Sequence, residues 1–201
     1  MPSKKSLEKY LAKRNFQQTG EPSGEEKIDG RKTNQFVIQK HDASSLHYDF
    51  RLQIGDVLVS WAVPKGPSTD PDEKRLAVRT EDHPLSYGNF EGVIPEGEYG
   101  GGTVLIWDRG TFRNLRQEKE EDGTDLEQSL KEGKIEVWLV GEKLQGGYVL
   151  IRTSQGDDEK WLLKKMRDEK ADARRNPVST QPKSVVSGKT LKEIEKEADA
   201  S

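Results

Sequence analysis

Residues 46–63 read "LHYDFRLQIGDVLVSWAV". Two runs rich in Leu, Val, Tyr, Phe and Trp flank "IGD", which is turn chemistry between strand-like segments. Side chains of a strand alternate faces with period two. In the first run, His47, Asp49 and Arg51 therefore share one face, and Leu46, Tyr48, Phe50 and Leu52 the other. The apolar face can anchor a core while the opposite face presents an imidazole, a carboxylate and a guanidinium in a row.

Similar runs recur outward from this pair: "QFVIQK", "RLAVRT", "TVLIWDRGTF", "KIEVWLV", "GGYVLIRT" and "KWLLKKM". About eight strands with little helix between them predict a mainly β protein, an antiparallel barrel or sandwich. A short N-terminal helix is expected over "SLEKYLAKR", followed by the loop "QTGEPSGEEKIDG". Residues 118–132 suggest an inserted helix with Gly133 as its stop. The organisation expected is an N-terminal helix and arm over 1–30, a folded β domain over 31–167, and a basic, flexible tail over 168–201, with "TLKEIEKEADA" as a short helix. "PEGEYGGGTVLIW" runs into a strand instead of opening a helix, so it reads as a tight turn with close backbone approach and not as a phosphate-binding loop.

With 201 residues, 31% hydrophobic and 34% charged, the chain suits one substantial domain with solvated extensions. It has no cysteine, which excludes disulfides, thiolate zinc sites and a cysteine nucleophile. No apolar run approaches the roughly 20 residues a membrane span needs, and the N-terminus lacks the apolar core of a signal peptide. The expectation is a soluble, cytoplasmic protein without a membrane partner. The net charge of −3 is unevenly spread: residues 118–127 carry six acids against one base, and 160–196 carry eleven Lys and Arg against five acids. That basic segment can attract a polyanion, or simply be a solvated tail.

His41 lies six residues before His47 and shares its parity if the segment is extended. Two imidazoles and a carboxylate suit Mn²⁺, Fe²⁺ or Zn²⁺ with positions left for water and substrate. From spacing alone, a surface salt link is equally open. His83, in a loop fixed by Pro84 and Gly88, can donate to a phosphate oxygen or protonate a leaving group, or be structural. Arg51, Lys65 and Arg75 come from three successive strands or their ends and can converge on a phosphate or remain ordinary surface charge. Trp61, Trp107, Trp138 and Trp161 lie in strand-like runs and read as core.

"FVIQKHDASSLHYDFRL", "SWAVPKGPS", "RLAVRTEDHPLSYGNFEGVIPEGEYGGGTV" and "WDRGT", in this order, resemble the 3′-phosphoesterase domain of bacterial DNA ligase D and its free-standing relatives, from about residue 9 to 165. The resemblance implies a compact, closed or nearly closed β-barrel. It would use Mn²⁺, or another divalent transition metal, to trim DNA 3′ ends before end joining. The implied activities are a phosphodiesterase that removes a terminal nucleoside from a 3′ ribonucleotide, then a phosphomonoesterase on the 3′-phosphate. DNA ends, including primer-template ends with a 3′-terminal ribonucleotide, would be the substrates, and separate ligase and polymerase repair proteins the partners.

Carried over by position, the resemblance makes His41, His47 and Asp49 the metal ligands. Arg51 and His83 match groups on the scissile phosphate, and Lys65, Arg75 and Tyr87 match further active-site positions. In the N-terminal arm, Arg14 and Glu21 match, whereas Asn15 stands where an aspartate is usual. Two rival functions remain: a barrel that binds nucleic-acid ends or a repair partner without cleaving, and a non-haem Fe(II) oxygenase using His47, Asp49 and His83 as its triad.

Overall fold

Among the described residues, ten antiparallel strands run back and forth: β1 (Gln35–Asp42), β2 (Leu46–Ile54), β3 (Val57–Val63), β4 (Arg75–Arg79), β5 (His83–Pro84), β6 (Gly92–Ile94), β7 (Gly102–Asn114), β8 (Lys134–Gly141), β9 (Gln145–Ser154) and β10 (Lys160–Lys165). The structure, a computed structural model, describes residues 4–25, 34–119, 121 and 123–200. Eight strands close in the order β1-β2-β3-β4-β10-β9-β8-β7, with β7 pairing back to β1. All eight strand-like runs in the sequence are staves of this barrel. The two-residue strand β5 pairs with β3, and β6 pairs with β7; both are too short to register as periodic patterns.

The alternation that the sequence shows on β2 governs the whole wall. Phe36, Ile38, Tyr48, Phe50, Leu52, Val59, Trp61, Leu105, Trp107, Val137, Leu139, Leu150, Trp161 and Leu163 belong to one buried cluster. Trp61 and Trp161 meet edge-to-face with centroids 5.5 Å apart, as do Tyr48 and Trp107 at 5.4 Å, geometry that suits aromatic quadrupoles. Opposite-parity residues of β1, β3 and β7 build a second cluster on the outer wall: Val37, Leu58, Val104 and Ile106 pack with Tyr10, Tyr87, Phe90 and Ile94. Leu46, expected on the apolar face, opens β2 and is exposed instead.

Helix α1 (Lys4–Ala12) lies where the sequence places it and buries Leu7 and Tyr10. Of the loop expected after it, residues 26–30 lie outside those described. The excursion expected over 118–132 is two helices, α2 (Leu115–Lys119) and α3 (Leu126–Glu132). Asp125 caps α3 by accepting from the Gln128 N–H, and Gly133 ends it in the left-handed region at φ 78°.

The segment after residue 167 differs from the flexible tail that its polarity suggests. Helix α4 (Pro177–Thr180) and the capped helix α5 (Leu191–Asp199) both pack on the barrel, and Ile194 is buried. The Val185 N–H donates to the Ile106 carbonyl (2.9 Å), the Trp107 indole to the Gln181 carbonyl (2.8 Å) and the Lys143 ammonium to the same carbonyl (3.0 Å). Backbone hydrogen bonds need no apolar side chain, so composition gave no sign of them.

Phe50 is 0% exposed at the centre of the interior. Phe50→Ala should destabilise the fold by about 3 to 5 kcal/mol, read as a lowered urea midpoint with unchanged slope; a shift near zero would place that ring outside the core.

Candidate metal centre

A three-residue turn, Ala43–Ser45, folds β1 onto β2 so that His41 stands opposite His47. The rings lie 4.9 Å apart, and Asp49, two residues along the same face, reaches both: Oδ2 is 3.6 Å from His41 Nδ1 and Oδ1 is 3.5 Å from His47 Nε2. One donor atom from each residue lies within 4.8 Å of the others, and among the described residues this is the one cluster of its kind. The site sits on the outer wall of the barrel, because the parity that turns Tyr48 and Phe50 inward turns His47, Asp49 and Arg51 outward.

The remaining ring nitrogens are already committed. His41 Nε2–H donates to the Gly100 carbonyl (2.8 Å) and His47 Nδ1–H to the Ser45 carbonyl (2.9 Å). In the neutral rings these bonds leave Nδ1 of His41 and Nε2 of His47 as lone pairs on the Asp49 side, the outer-sphere arrangement that metal-ligating imidazoles use; on a protonated ring the same nitrogen donates to Asp49 instead. Gly100 belongs to the glycine-rich loop expected to allow close backbone approach, and it does: a Cβ on Gly102 would sit 2.0 Å from the Asp42 carbonyl oxygen. Two neutral imidazoles and a carboxylate fit a borderline divalent cation such as Mn²⁺, Fe²⁺ or Zn²⁺.

Arg51, 3% exposed, braces the site from below. Its Nε donates to Gln39 Oε1 (2.7 Å), one terminal nitrogen to Ser60 Oγ (2.9 Å), and the other pairs with Asp49 Oδ2 (3.2 Å). Burial opposes charge on Asp49, but the Arg51 guanidinium and the hydrogen bonds with His41 and His47 outweigh it and hold the carboxyl well below its usual range. Burial likewise opposes charge on His47, yet its hydrogen bond to Asp49 and that charge raise its pKa overall.

The second half of the site comes from distant segments. His83 is buried beside Arg51, whose terminal nitrogen approaches Nδ1 at 3.0 Å, while Nδ1 also lies 2.9 Å from the Glu81 carbonyl. On the other side, an Arg14 nitrogen is 3.2 Å from Nε2. Burial first, then the Arg51 and Arg14 cations, push the His83 pKa well below the usual imidazole value. Arg14 also binds Glu21 (2.9 Å) and Glu81 (3.1 Å), and the Tyr87 hydroxyl donates to Glu21 (3.0 Å).

The expected site residues thus divide. His41, His47, Asp49, Arg51, His83, Tyr87, Arg14 and Glu21 form one continuous network. Lys65 is exposed beyond the end of β3, and Arg75 pairs with Glu73 (2.6 Å) in a small cavity of about 90 Å³ beside Asn176; neither touches the triad. Asn15 is exposed, and its side chain and carbonyl accept from the N–H groups of Gln17, Gln18 and Thr19. Gln39, Ser60 and Glu81 join the network although sequence reading passed them over; Gln39 shares the parity of His41, which was the available signal. Three of the four tryptophans are fully buried, as their strand setting suggested.

A family model described as the DNA Ligase D 3′-phosphoesterase domain matches residues 39–152. The chain belongs to the DNA ligase D 3′-phosphoesterase family. It is 47% identical over 195 residues to the multifunctional non-homologous end joining protein LigD of Pseudomonas aeruginosa, covering 95% of this chain and 22% of that protein. Against the multifunctional non-homologous end joining DNA repair protein LigD of Mycobacterium tuberculosis, identity is 43% over 164 residues, 82% of this chain and 20% of the relative. The Mycolicibacterium smegmatis LigD is 42% identical over 169 residues, 84% and 22% of the two chains. The chain therefore spans about a fifth of the length of these curated relatives. No helix among the described residues is long and apolar enough to cross a membrane.

The oxygenase reading needs His83 as the third ligand, whereas Arg51 and Arg14 occupy its ring nitrogens. Isothermal titration with Mn²⁺ should show His41→Ala and His47→Ala weakened about 100-fold or more, beyond what losing an outer-sphere partner costs, with His83→Ala still binding one ion. The reverse order would make His83 the ligand.

The pH dependence of stability has a defined sign at His83. Folding depresses its pKa below the unfolded value of about 6.5, so the stability its neutral burial carries is present above that pH and drains as pH falls below it. Urea melts of metal-free protein between pH 7.5 and 5 should show this loss, and His83→Gln should flatten it; equal slopes would place the titration elsewhere.

Proposed function

We propose that this protein is a metal-dependent 3′-phosphoesterase that heals DNA ends. It removes a terminal ribonucleoside as a phosphodiesterase and then the remaining 3′-phosphate as a phosphomonoesterase, with Mn²⁺ as its metal. The observation that carries the reading is the juxtaposition of the triad, its tautomers set by two backbone carbonyls, with Arg51 and His83 on one wall. Family membership supports it, and the names of the relatives extend it to non-homologous end joining.

His41, His47 and Asp49 would hold the ion, which when bound polarises a phosphoryl oxygen and lowers the pKa of a water. The chain's own residues do the rest. Arg51 is fixed by Gln39, Ser60 and Asp49, so its guanidinium can meet developing phosphoryl charge without reorganising. His83 is neutral before the anion arrives, and an incoming phosphate offsets the two cations beside it. The ring can then take at a nitrogen the proton that the attacking water gives up and deliver it to the departing oxygen.

Recognition of a ribose is supported by Glu21. One of its carboxylate oxygens accepts from Arg14 and Tyr87, while the other is buried with no hydrogen-bond partner among the described residues. A buried, unpaired carboxylate oxygen is an acceptor for a substrate hydroxyl. Asn15 does not enter this network, and an asparagine serves its turn as well as an aspartate would.

The test uses a 5′-labelled primer on a longer template, ending in a single 3′ ribonucleotide and incubated with the protein and Mn²⁺. A 3′-phosphate product that later becomes 3′-OH is the expected result. Dephosphorylation of a 3′-phosphate primer alone would restrict the enzyme to the second step. No change in either primer would sink the enzymatic reading in favour of an end-binding module.

A further inference from the structure

The chain has five Tyr, five Phe and four Trp. All fourteen lie among the described residues, and Tyr99 alone is classed as exposed, at 47%. The others are in the two cores or at least partly covered. A large ring left in solvent needs a reason, and its surroundings supply one.

Tyr99 is in the glycine-rich loop between β6 and β7, directly before Gly100. The Gly100 carbonyl holds His41 at 2.8 Å, and a Cβ on Gly100 would lie 3.8 Å from the His41 ring. From the other side, the N-terminal arm reaches the same ring. The Lys13 ammonium lies 3.0 Å from the Tyr99 hydroxyl and 4.5 Å from its centroid, and the Arg14 guanidinium carbon is 5.4 Å from that centroid. Arg14 in turn touches His83 at 3.2 Å. Tyr99 therefore stands one residue from the metal triad's support and one side chain from His83, held by two cations and open to solvent.

We propose that the Tyr99 ring is a stacking platform for the nucleobase at the 3′ end of the DNA strand. This rests on the phosphoesterase reading and names how that site takes its substrate. Every base offers a π-face, so such a platform binds ends without sequence preference, which end healing requires. The Lys13 ammonium beside the ring, 40% exposed, can supply counter-charge to the adjoining backbone phosphate. Tyr99 is a positioning residue: it orients the strand end and takes no part in bond breaking.

The experiment measures KM and kcat for removal of a 3′-phosphate from a primer-template, with Mn²⁺, using wild type, Tyr99→Ala and Tyr99→Phe. Each is assayed on a primer with a normal terminal nucleotide and on one whose terminal nucleotide is abasic. Stacking predicts that Tyr99→Ala raises KM about tenfold on the normal end and changes kcat much less. Tyr99→Phe, which keeps the ring and loses the hydroxyl contact with Lys13, should restore KM to near wild type. On the abasic end, wild type and Tyr99→Ala should have the same KM.

An unchanged KM for Tyr99→Ala on the normal end overturns the proposal. So does a KM increase that persists on the abasic end, since Tyr99 would then be acting only through Lys13 and Arg14. If wild type turns over neither substrate, the phosphoesterase reading itself has failed, an outcome distinct from turnover that is indifferent to Tyr99. Equal thermal melting of the three proteins establishes that each variant is folded.

Discussion

Arg51 is a buried guanidinium, so everything packed around it has to answer a positive charge. The answers come from three strands. Gln39 on β1 and Ser60 on β3 accept its hydrogen bonds, and Asp49, two residues away on β2, supplies the counter-charge. Asp49 is thereby kept ionised despite its burial, and an ionised carboxylate beside two imidazoles is a donor set that fits a divalent cation. The same cation bears on His83 and, with burial, keeps it neutral. One side chain thus bears on the charge state of both halves of the site.

That arrangement depends on strand register. With a period of two, a slip by one residue would carry Arg51 and Asp49 into the apolar interior and turn Phe50 and Tyr48 outward. Register is secured where β7 closes the barrel. A Cβ on Gly102 would sit 2.0 Å from the Asp42 carbonyl oxygen, and one on Gly110 equally close to that of Val140. Glycine is what lets these backbones meet. The loop ahead of Gly102 then contributes the Gly100 carbonyl that orients His41, so one glycine-rich stretch serves both closure and ligand geometry.

Local periodicity carried the eight barrel strands and the polar face of β2, because both are properties of residues two apart. The rest was hidden for a common physical reason. Burial of the outward face comes from α1, the arm and residues 81–94, through contacts such as Arg14 to His83 and Gln39 to the Tyr87 carbonyl, 69 and 48 residues apart. Packing of residues 168–200 rests on a few scattered apolar side chains such as Val178 and Ile194 and on hydrogen bonds to backbone carbonyls, and carbonyls leave no mark on composition. The positions of Arg14, Glu21 and Tyr87 came from family resemblance; no spacing rule links them. Lys65 and Arg75, placed in the site by the same resemblance, stand apart from the network formed here.

The hydrogen bonding of His83 shows how closely the two arginines constrain its ring. A neutral imidazole offers one donor and one acceptor. With Nδ1–H directed at the Glu81 carbonyl, Nε2 accepts from Arg14, and the Arg51 nitrogen 3.0 Å from Nδ1 faces a donor instead of an acceptor. With the other tautomer, Arg51 is satisfied and Arg14 faces the donor. In either case one guanidinium N–H is left directed at a group that cannot accept it, and both guanidinium groups are too firmly tethered by carboxylates to turn away. The ring is thus held between two cations in either tautomer, which together with burial is why it stays neutral.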